Sequence, residues 1–286
     1  MLAAILASGL AIGAVYALIG VTYNVMFSAS RVMSFTAGQL GMLGGVLGAL
    51  FILRLGIPAL PGFLLTLAAC AAIGVATEII AVRPVLGSLE QHLYVLSTLA
   101  FALIIQQITA IFWSTEPQPF PRLFGIGTGG PDDEKFWLPL VACAVVMVGL
   151  ELLYRKTLVG RAFLAIAEDN FAARALGLPE RNLRMASFAL AGAIGGVAGF
   201  SSGELLLAFF ANGSILNFYG FVPVALGGLG NNRGAIFGGL ALGVFQQAAN
   251  FLVGGVFAAV TVFIVFIVVL LVAPQGLFGS PPTRRV

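Results

Sequence analysis

The sequence predicts an all-α fold, a single polytopic bundle of membrane helices. Of the 286 residues, 60% are hydrophobic and 9% are charged, with a mean hydropathy of +1.07. Soluble domains carry roughly a quarter charged residues. Apolar runs of about 20 residues, the length that crosses a hydrocarbon layer as a helix, recur along the whole chain. We therefore expect one membrane domain over residues 1–286 and no sizeable soluble domain.

Nine apolar segments follow one another, and each is predicted to be a helix. The second is rich in glycine, so we expect a broken span there. The seventh contains Pro223 and is short for a full crossing, so it either crosses or re-enters. The sequence predicts eight or nine spans, and it leaves open whether 32–53 and 215–229 cross fully. The segments are residues 2–27, 32–53, 59–82, 93–113, 136–153, 185–207, 215–229, 235–253 and 256–272.

Small residues recur at helical spacing within these segments. Because small side chains let membrane helices approach closely, we expect tight helix packing rather than disorder. The residues concerned are Gly9, Gly13 and Ala17 in the first half, and Gly195, Gly199 and Gly203 in the second.

Loop charges orient the bundle. Lys and Arg concentrate on the cytoplasmic side of membrane proteins, which places Arg83, Arg233, and Arg284 with Arg285, on that side. The acid-rich loop 114–135 is expected outside. Alternation then puts the N-terminus outside and the C-terminus inside, which requires nine crossings.

One polar segment, residues 154–184, interrupts the apolar pattern and is predicted to be cytoplasmic. Thr157 is a suitable N-cap, and Gly177 followed by Pro179 is a suitable stop, so a helix is predicted over residues 158–176. The segment holds six of the 14 Lys and Arg residues: Arg155, Lys156, Arg161, Arg174, Arg181 and Arg184.

This predicted helix has two faces. Phe163, Ile166, Ala167 and Phe171 lie on an apolar side that could rest on the membrane or the bundle. The other side mixes charges with alanines, so it is either a solvated loop surface or a docking face for a partner protein. Docking is favoured because the segment is longer than a connection needs. The docking candidates are Arg161, Ala165, Glu168, Asp169, Ala172 and Gly177.

Uncharged polar side chains inside the apolar segments are candidates for a solute path, because polar groups are costly in lipid. For any one of these residues alone, the favoured explanation is an interhelical hydrogen bond worth about 1 kcal/mol. For residues 36–39 the path is favoured, since a break at Ala37–Gly38 would expose backbone to a cavity. Such groups suit a zwitterion or a small neutral solute. The candidates are Asn24, Ser34, Thr36, Gly38, Gln39, Ser97, Thr98 and Gln246.

The sequence gives no pattern for catalysis. The glycine-rich residues 227–234 lack the Gly-Lys-Ser/Thr ending of a phosphate-binding loop. The single histidine, His92, has no nucleophile paired with it, and Cys70 and Cys143 are interpreted as buried lone thiols. We expect no enzymatic activity, catalytic residue, cofactor or metal in this chain. Its net charge of +3 is explained by the loops rather than by nucleic-acid binding.

Several motifs, in order, resemble those of branched-chain amino-acid ABC transporter permeases of the LivH/LivM type. Residues 157–178 (TLVGRAFLAIAEDNFAARALGL) are similar to the cytoplasmic loop of this family. Residues 13–20 (GAVYALIG) resemble its first span, and residues 34–44 (SFTAGQLGMLG) resemble its Asn-Phe-Ala-His-Gly-Glu segment. Residues 226–235 (LGGLGNNRGA) and 274–279 (PQGLFG) resemble its two C-terminal signatures. The set covers nearly the whole chain.

The resemblance implies the permease subunit of a binding-protein-dependent importer, with a fold like that of type II ABC importers. Segment 154–184 would be its coupling segment. The implied partners are a second permease subunit, commonly in a heterodimer, and two cytoplasmic ATPase subunits that carry ATP and Mg. An extracytoplasmic solute-binding protein and membrane lipid complete the set. The implied location is the bacterial inner membrane.

Residues 36–39 depart from the family pattern. Thr-Ala-Gly-Gln stands where Ala-His-Gly-Glu is typical, which removes both titratable groups. The substrate therefore stays open among branched-chain or related amino acids, urea, short amides and aromatic acids. An ATP-independent channel or transporter for a small solute is the alternative from another class, and it would need no docking helix.

Overall fold

The computed structural model describes residues 2–86, 93–123 and 133–272, which form a helical bundle. Outside the helices these residues form loops and one isolated antiparallel bridge between Gln118 and Ala208. Two helices, α2 and α3, end in π-helical turns at Leu50–Arg54 and Glu78–Val82. The helices are α1 Leu2–Ser30, α2 Ala37–Ala49, α3 Ala59–Thr77, α4 Leu93–Phe112, α5 Glu134–Lys156, α6 Leu158–Glu168, α7 Asn170–Ala175, α8 Glu180–Leu206, α9 Asn212–Gly227, α10 Asn232–Val253 and α11 Gly255–Val272.

In these described ranges, 7 helices are long and apolar enough to cross a membrane. They are α1, α4, α5, α8, α10, and α2 and α3 with their π turns. Two further apolar helices, α9 with 16 residues and α11 with 18, complete the bundle. All nine predicted segments are helical, which confirms the polytopic helical fold. The expected eight or nine spans roughly fit once α9 and α11 are counted.

Helix α1 lies at the centre and packs against α5, α8, α9 and α10. Its sequence is apolar nearly all round, the pattern of a helix enclosed by other helices. Side chains on several faces of α1 are buried accordingly, among them Val15, Leu18 and Ile19.

Glycines bring the neighbouring helices close together. A Cβ on Gly13 of α1 would meet the backbone of Gly239 on α10, and a Cβ on Gly199 of α8 would meet the backbone of Gly41 on α2. Such contacts leave no room for a side chain. The predicted tight packing through small residues is therefore confirmed.

Outer faces of the bundle are apolar. Ile111 and Phe112 of α4 are 77% and 81% exposed, and Leu271 of α11 is 78% exposed. Apolar side chains covering the outside of a helix bundle suit a surrounding of hydrocarbon or of other membrane helices.

The structure describes both cysteines, but it does not describe several other residues for which predictions were made. Cys70 and Cys143 are buried and unpaired, as predicted. Other predictions lie outside the described residues, namely those for His92, Arg284, Arg285, residues 274–279 and part of the loop 114–135.

Candidate functional site

The chain leaves the helical path between α1 and α2. Arg31 has a positive φ of 56° after the end of α1, and the next helix begins at Ala37. Thr36 at its N-cap makes no side-chain bond to the free amides of the helix. Its hydroxyl lies 2.8 Å from that of Ser34 instead, and both residues are fully buried. The second span itself is not broken as predicted, because α2 and its π turn run without interruption over Ala37–Arg54. The break is the non-helical link that precedes this span.

The break lies at residues 31–36, a few residues earlier than expected. Ala37 and Gly38 form the first turn of α2, so the predicted break at Ala37–Gly38 is wrong. Only the amide N–H groups of that turn lack partners within the helix, as the first amides of any helix do.

Asn217 of α9 closes this break. Its Oδ1 accepts hydrogen bonds from the Gly38 amide at 2.6 Å and from the Tyr23 hydroxyl at 3.0 Å. Its Nδ2 donates to the Phe35 carbonyl at 2.6 Å. Asn217 thereby caps α2 from a neighbouring helix, where Thr36 does not. One side chain joins α1, the break and α9.

Sequence reasoning missed Asn217. The available signal was an amide near the start of the apolar segment 215–229, where a polar side chain is costly without a partner. Its partners are far away in sequence, so only the fold identifies them.

Gln39 lies within the first turn of α2 and is 1% exposed. Its Nε2 donates to Oε1 of Gln106 on α4 at 3.3 Å, and the Ser214 hydroxyl of α9 donates to the same oxygen at 2.8 Å. The Oε1 atom of Gln39 is buried without a hydrogen-bond partner. Leaving such an acceptor unsatisfied costs about 1–3 kcal/mol, so this position favours a donor.

A cavity of about 300 Å³ lies beside these groups, between α2, α4 and α9. That volume is at the small end of ligand sites. Its wall is mostly apolar, carries no charged side chain, and has polar groups from only three residues. The lining residues are Phe35, Gln39, Leu99, Ala102, Leu103, Ser214, Asn217, Phe218 and Phe221. Such a wall suits a small solute without net charge.

The structure brings some of the predicted path residues together. Thr98 joins the break, since its hydroxyl accepts the Phe35 amide at 3.3 Å. Five predicted residues therefore lie at the break or on its cavity: Ser34, Thr36, Gly38, Gln39 and Thr98.

The other three predicted residues bond elsewhere. Asn24 accepts the Gly230 amide at 3.0 Å, and Ser97 donates to the Ala81 carbonyl at 2.7 Å. Gln246 accepts the Tyr16 hydroxyl at 2.7 Å. Each of these bonds is an interhelical or helix–loop hydrogen bond, the interpretation that the sequence favoured for single residues.

The polar segment 154–184 contains two helices in place of the predicted single helix over 158–176. Asp169 has φ −145° and ψ 103°, and its Oδ1 accepts the amides of Phe171 and Ala172 at 2.9 and 3.1 Å. Asp is a strong N-cap residue, and here it starts α7 instead of continuing α6. The predicted start is confirmed, because the Thr157 hydroxyl accepts the Gly160 amide at 2.9 Å. The predicted stop is also confirmed, since Gly177 has φ 81°.

The break at Asp169 changes which side chains face the bundle. Phe163 and Ile166 are buried as predicted, against Ala29 of α1 and Leu183 of α8. Phe171 was predicted on the same side and is 84% exposed, because α7 does not continue the register of α6. Of the docking candidates, Ala165 is half-buried, and the exposed ones are Arg161, Glu168, Asp169, Ala172 and Gly177.

Large apolar side chains are exposed among these charges. We call the exposed side of α6 and α7, with the adjoining Leu176, the α6–α7 surface. Exposed apolar clusters on proteins mark contact sites for partners or membranes. The sequence reasoning placed charges and alanines there and missed Leu158, Val159, Leu164, Phe171 and Leu176.

Arg31 ties this segment to the end of α1. Its guanidinium donates to the Ala167 carbonyl in the last turn of α6 and lies 5.8 Å from the centre of the Phe27 ring. A cation at the free carbonyls of a helix C-terminus is favourable. The α6–α7 surface and the break before α2 therefore meet at the same residue.

Comparison with known proteins gives a consistent result. Residues 5–273 match the family model described as branched-chain amino acid transport system / permease component. The chain is 26% identical to the high-affinity branched-chain amino acid transport system permease protein BraD of Pseudomonas aeruginosa, over 98% of this chain and 97% of that protein. It is 25% identical to LivH of Escherichia coli K12, over 98% and 96%, and 29% identical to LivM of the same strain, over 60% and 39%.

Proposed function

Because the chain belongs to the family of branched-chain amino acid transport system permease components, we propose that it is the permease subunit of an ABC importer. The observation that carries this proposal is the family match over residues 5–273, nearly the whole chain. The substrate class we propose is branched-chain or related amino acids, and the route is inward across the bacterial inner membrane. A binding protein outside the membrane delivers the solute.

The cavity beside Gln39 supports a solute path through this subunit. Its polar groups are amides and a hydroxyl, which bind a zwitterion through hydrogen bonds without holding it as an ion pair would. Its aromatic and aliphatic wall suits an apolar side chain. Alternating access would open this region first to one side of the membrane and then to the other.

The energy for this cycle comes, in our proposal, from two cytoplasmic ATPase subunits that bind ATP and Mg. The α6–α7 surface is their contact site. Exposed Leu158 and Phe171 beside exposed Arg161 and Glu168 form a mixed apolar and charged surface, as protein interfaces do. A merely solvated loop would gain nothing from exposing such side chains.

A second permease subunit completes the pathway. The chain matches both LivH and LivM relatives, which supports pairing of two different permeases of one family, a heterodimer. The apolar outer faces of the bundle, such as that of α4, offer surface for such a subunit as well as for lipid.

One observation favours a different solute within the same function. The residues Ala37 and Gln39 stand where the family pattern has titratable side chains, and the cavity wall carries no charge. Urea, short amides and aromatic acids therefore remain candidate substrates beside the branched-chain amino acids. Binding assays on the partner solute-binding protein distinguish them.

Copurification tests the proposed function. The chain, tagged at its N-terminus, is expressed in its native host and purified in mild detergent. We expect a second permease and an ATPase to copurify in defined proportion, and ATP hydrolysis in the purified complex. A chain that purifies alone with full solute transport would support an ATP-independent transporter and contradict the proposal.

A further inference from the structure

Glu78 is a fully buried carboxylate that the proposed path and docking surface do not use. It begins the π turn at the end of α3. Its Oε2 lies 2.7 Å from Nη2 of Arg83, and its Oε1 lies 2.8 Å from Nε of Arg184 on α8. A buried charge is tolerated only when it is paired in this way.

The ion pairs continue outward to the α6–α7 surface. Arg184 Nη1 lies 3.2 Å from Oε1 of Glu180, and Oε2 of Glu180 lies 3.0 Å from Nε of Arg174 on α7. The side chain of Arg174 is 66% exposed, that of Arg184 is 10% exposed, and Glu78 is fully enclosed. Four charged side chains thus connect an exposed helix with the buried end of α3.

The buried end of α3 is connected in turn to the cavity wall. The Ser97 hydroxyl of α4 donates to the Ala81 carbonyl inside the π turn at 2.7 Å. Leu99, Ala102 and Leu103, which follow Ser97 on α4, line the cavity. Contacts therefore run from α7 through α8 and the π turn to α4.

The π turn is the part of this connection whose backbone bonding departs from that of an α-helix. The Arg83 amide bonds the Glu78 carbonyl at 2.8 Å, five residues back rather than four. π turns occur as single-turn insertions in α-helices, frequently at functional sites. Return to α-helical bonding would rotate and lengthen the end of α3, and it would move the carbonyl that holds Ser97. Coupling between distant sites requires such an element with two discrete arrangements.

We propose that Glu78 and Arg184 are positioning residues that transmit a displacement of the α6–α7 surface, through the π turn Glu78–Val82, to the cavity wall on α4. This inference rests on the proposed function, in which an ATPase moves that surface. The ion pairs fix the positions of α7, α8 and α3 relative to one another, so that movement of one helix moves the others. Their proposed role is measured as the amount of solute moved for each ATP hydrolysed. A purely structural role of the ion pairs would not change this ratio.

The test uses the complete complex, with ATPases, second permease and loaded binding protein, in proteoliposomes. The readout is the ratio of solute taken up to ATP hydrolysed. Glu78→Gln and Arg184→Lys should lower this ratio about 2- to 30-fold, the range of measured coupling effects, while the complex still assembles. Arg122→Gln is the matched control, because it breaks the 3.3 Å pair with Glu204 near the other end of α8. The control should keep the wild-type ratio.

A variant at an exposed position keeps the inference testable if Glu78→Gln and Arg184→Lys fail to fold. Arg174→Gln removes the outermost pair at an exposed position and should lower the ratio, and Arg174→Lys should restore it in part. Wild-type ratios in Arg174→Gln, and in whichever of the two buried variants assembles, would overturn the inference. A wild-type complex that hydrolyses ATP without uptake, or takes up solute without ATP, would overturn the proposed function instead, and the inference with it.

Discussion

At the scale of single residues, the contact between Gly38 and Asn217 fixes the start of α2. The Gly38 amide is capped by the Asn217 side chain, and the two backbones lie so close that a Cβ on Gly38 would meet the backbone of Asn217. The glycine is required for that approach. Replacing it must either push α9 away or break the cap, and both changes open the break beside the cavity.

Gly38→Ala should therefore destabilise the protein by about 1–3 kcal/mol, the usual cost of overpacking. Gly45→Ala on the same helix is the control. A Cβ there meets only the Gly199 carbonyl at 3.4 Å, an ordinary contact, and alanine is the better helix former. Melting of the purified protein in detergent measures the difference. Equal melting temperatures for the two variants would show that Asn217 does not clamp α2.

Gln39 lines the cavity of the proposed path, and its Oε1 atom has no hydrogen-bond partner. Gln39→Leu keeps the volume and removes the amide, so uptake should fall about tenfold or more, the effect of losing one or two hydrogen bonds to a bound polar group. Gln107→Leu is the matched control, since Gln107 is exposed on the outside of α4. Uptake of radiolabelled solute by cells that express each variant measures the effect. Equal uptake would remove Gln39 from the path.

At the scale of elements, the polar segment shows what sequence patterns can and cannot predict. Thr157 and Gly177 were identified as its ends because capping signals are local. The break at Asp169 was missed, although Asp is a capping residue, because a regular helical pattern through Phe171 gave a competing and simpler interpretation. The exposed side was predicted for Arg161 and Glu168, and their apolar neighbours were missed.

The α6–α7 surface gives a prediction at this scale. Phe171→Glu places a charge in the middle of the surface and should weaken ATPase binding about tenfold or more, because aromatic side chains often dominate interfaces. Glu168→Arg and Ala172→Arg should reduce transport in the same direction. Asn182→Glu, at an exposed position at the start of α8, is the control. Binding of the purified ATPase to immobilised permease measures the change, and unchanged binding in all three variants would argue for a solvated or membrane-bound surface.

Helices and contacts were predicted from the sequence only where the signal lies in neighbouring residues. All nine apolar segments form helices because length and hydropathy suffice to identify them. The hydrogen bonds of Asn217, Gln39 and Arg184 join residues far apart in the sequence, so no local pattern could assign their partners. For the same reason the path residues were identified only in part, with Ser97 and Gln246 bonding away from the cavity.

At the scale of the whole molecule, topology decides which side of the membrane the α6–α7 surface faces. The loop charges predict an outside N-terminus, an inside C-terminus and nine crossings, which would require both α9 and α11 to cross. A reporter fused after Val286 should read cytoplasmic. A periplasmic reading would mean that α9 or α11 does not cross.

Three parts of the molecule are connected: the cavity beside the α2 break, the α6–α7 surface, and the helices between them. The break meets that surface at Arg31, and the ion pairs of Glu78 form a second connection. In the proposed function, movement at the ATPase must reach the solute, and either connection offers a route for it.

ATP-driven uptake through this permease is tested by measuring the uptake of branched-chain amino acids into proteoliposomes. The proteoliposomes hold the complete complex, with the binding protein outside and ATP inside. The account predicts uptake against a gradient that requires both ATP and the binding protein, and that falls together with ATPase binding in Phe171→Glu. Uptake that proceeds equally without ATP would contradict it and would identify a channel or an ATP-independent transporter.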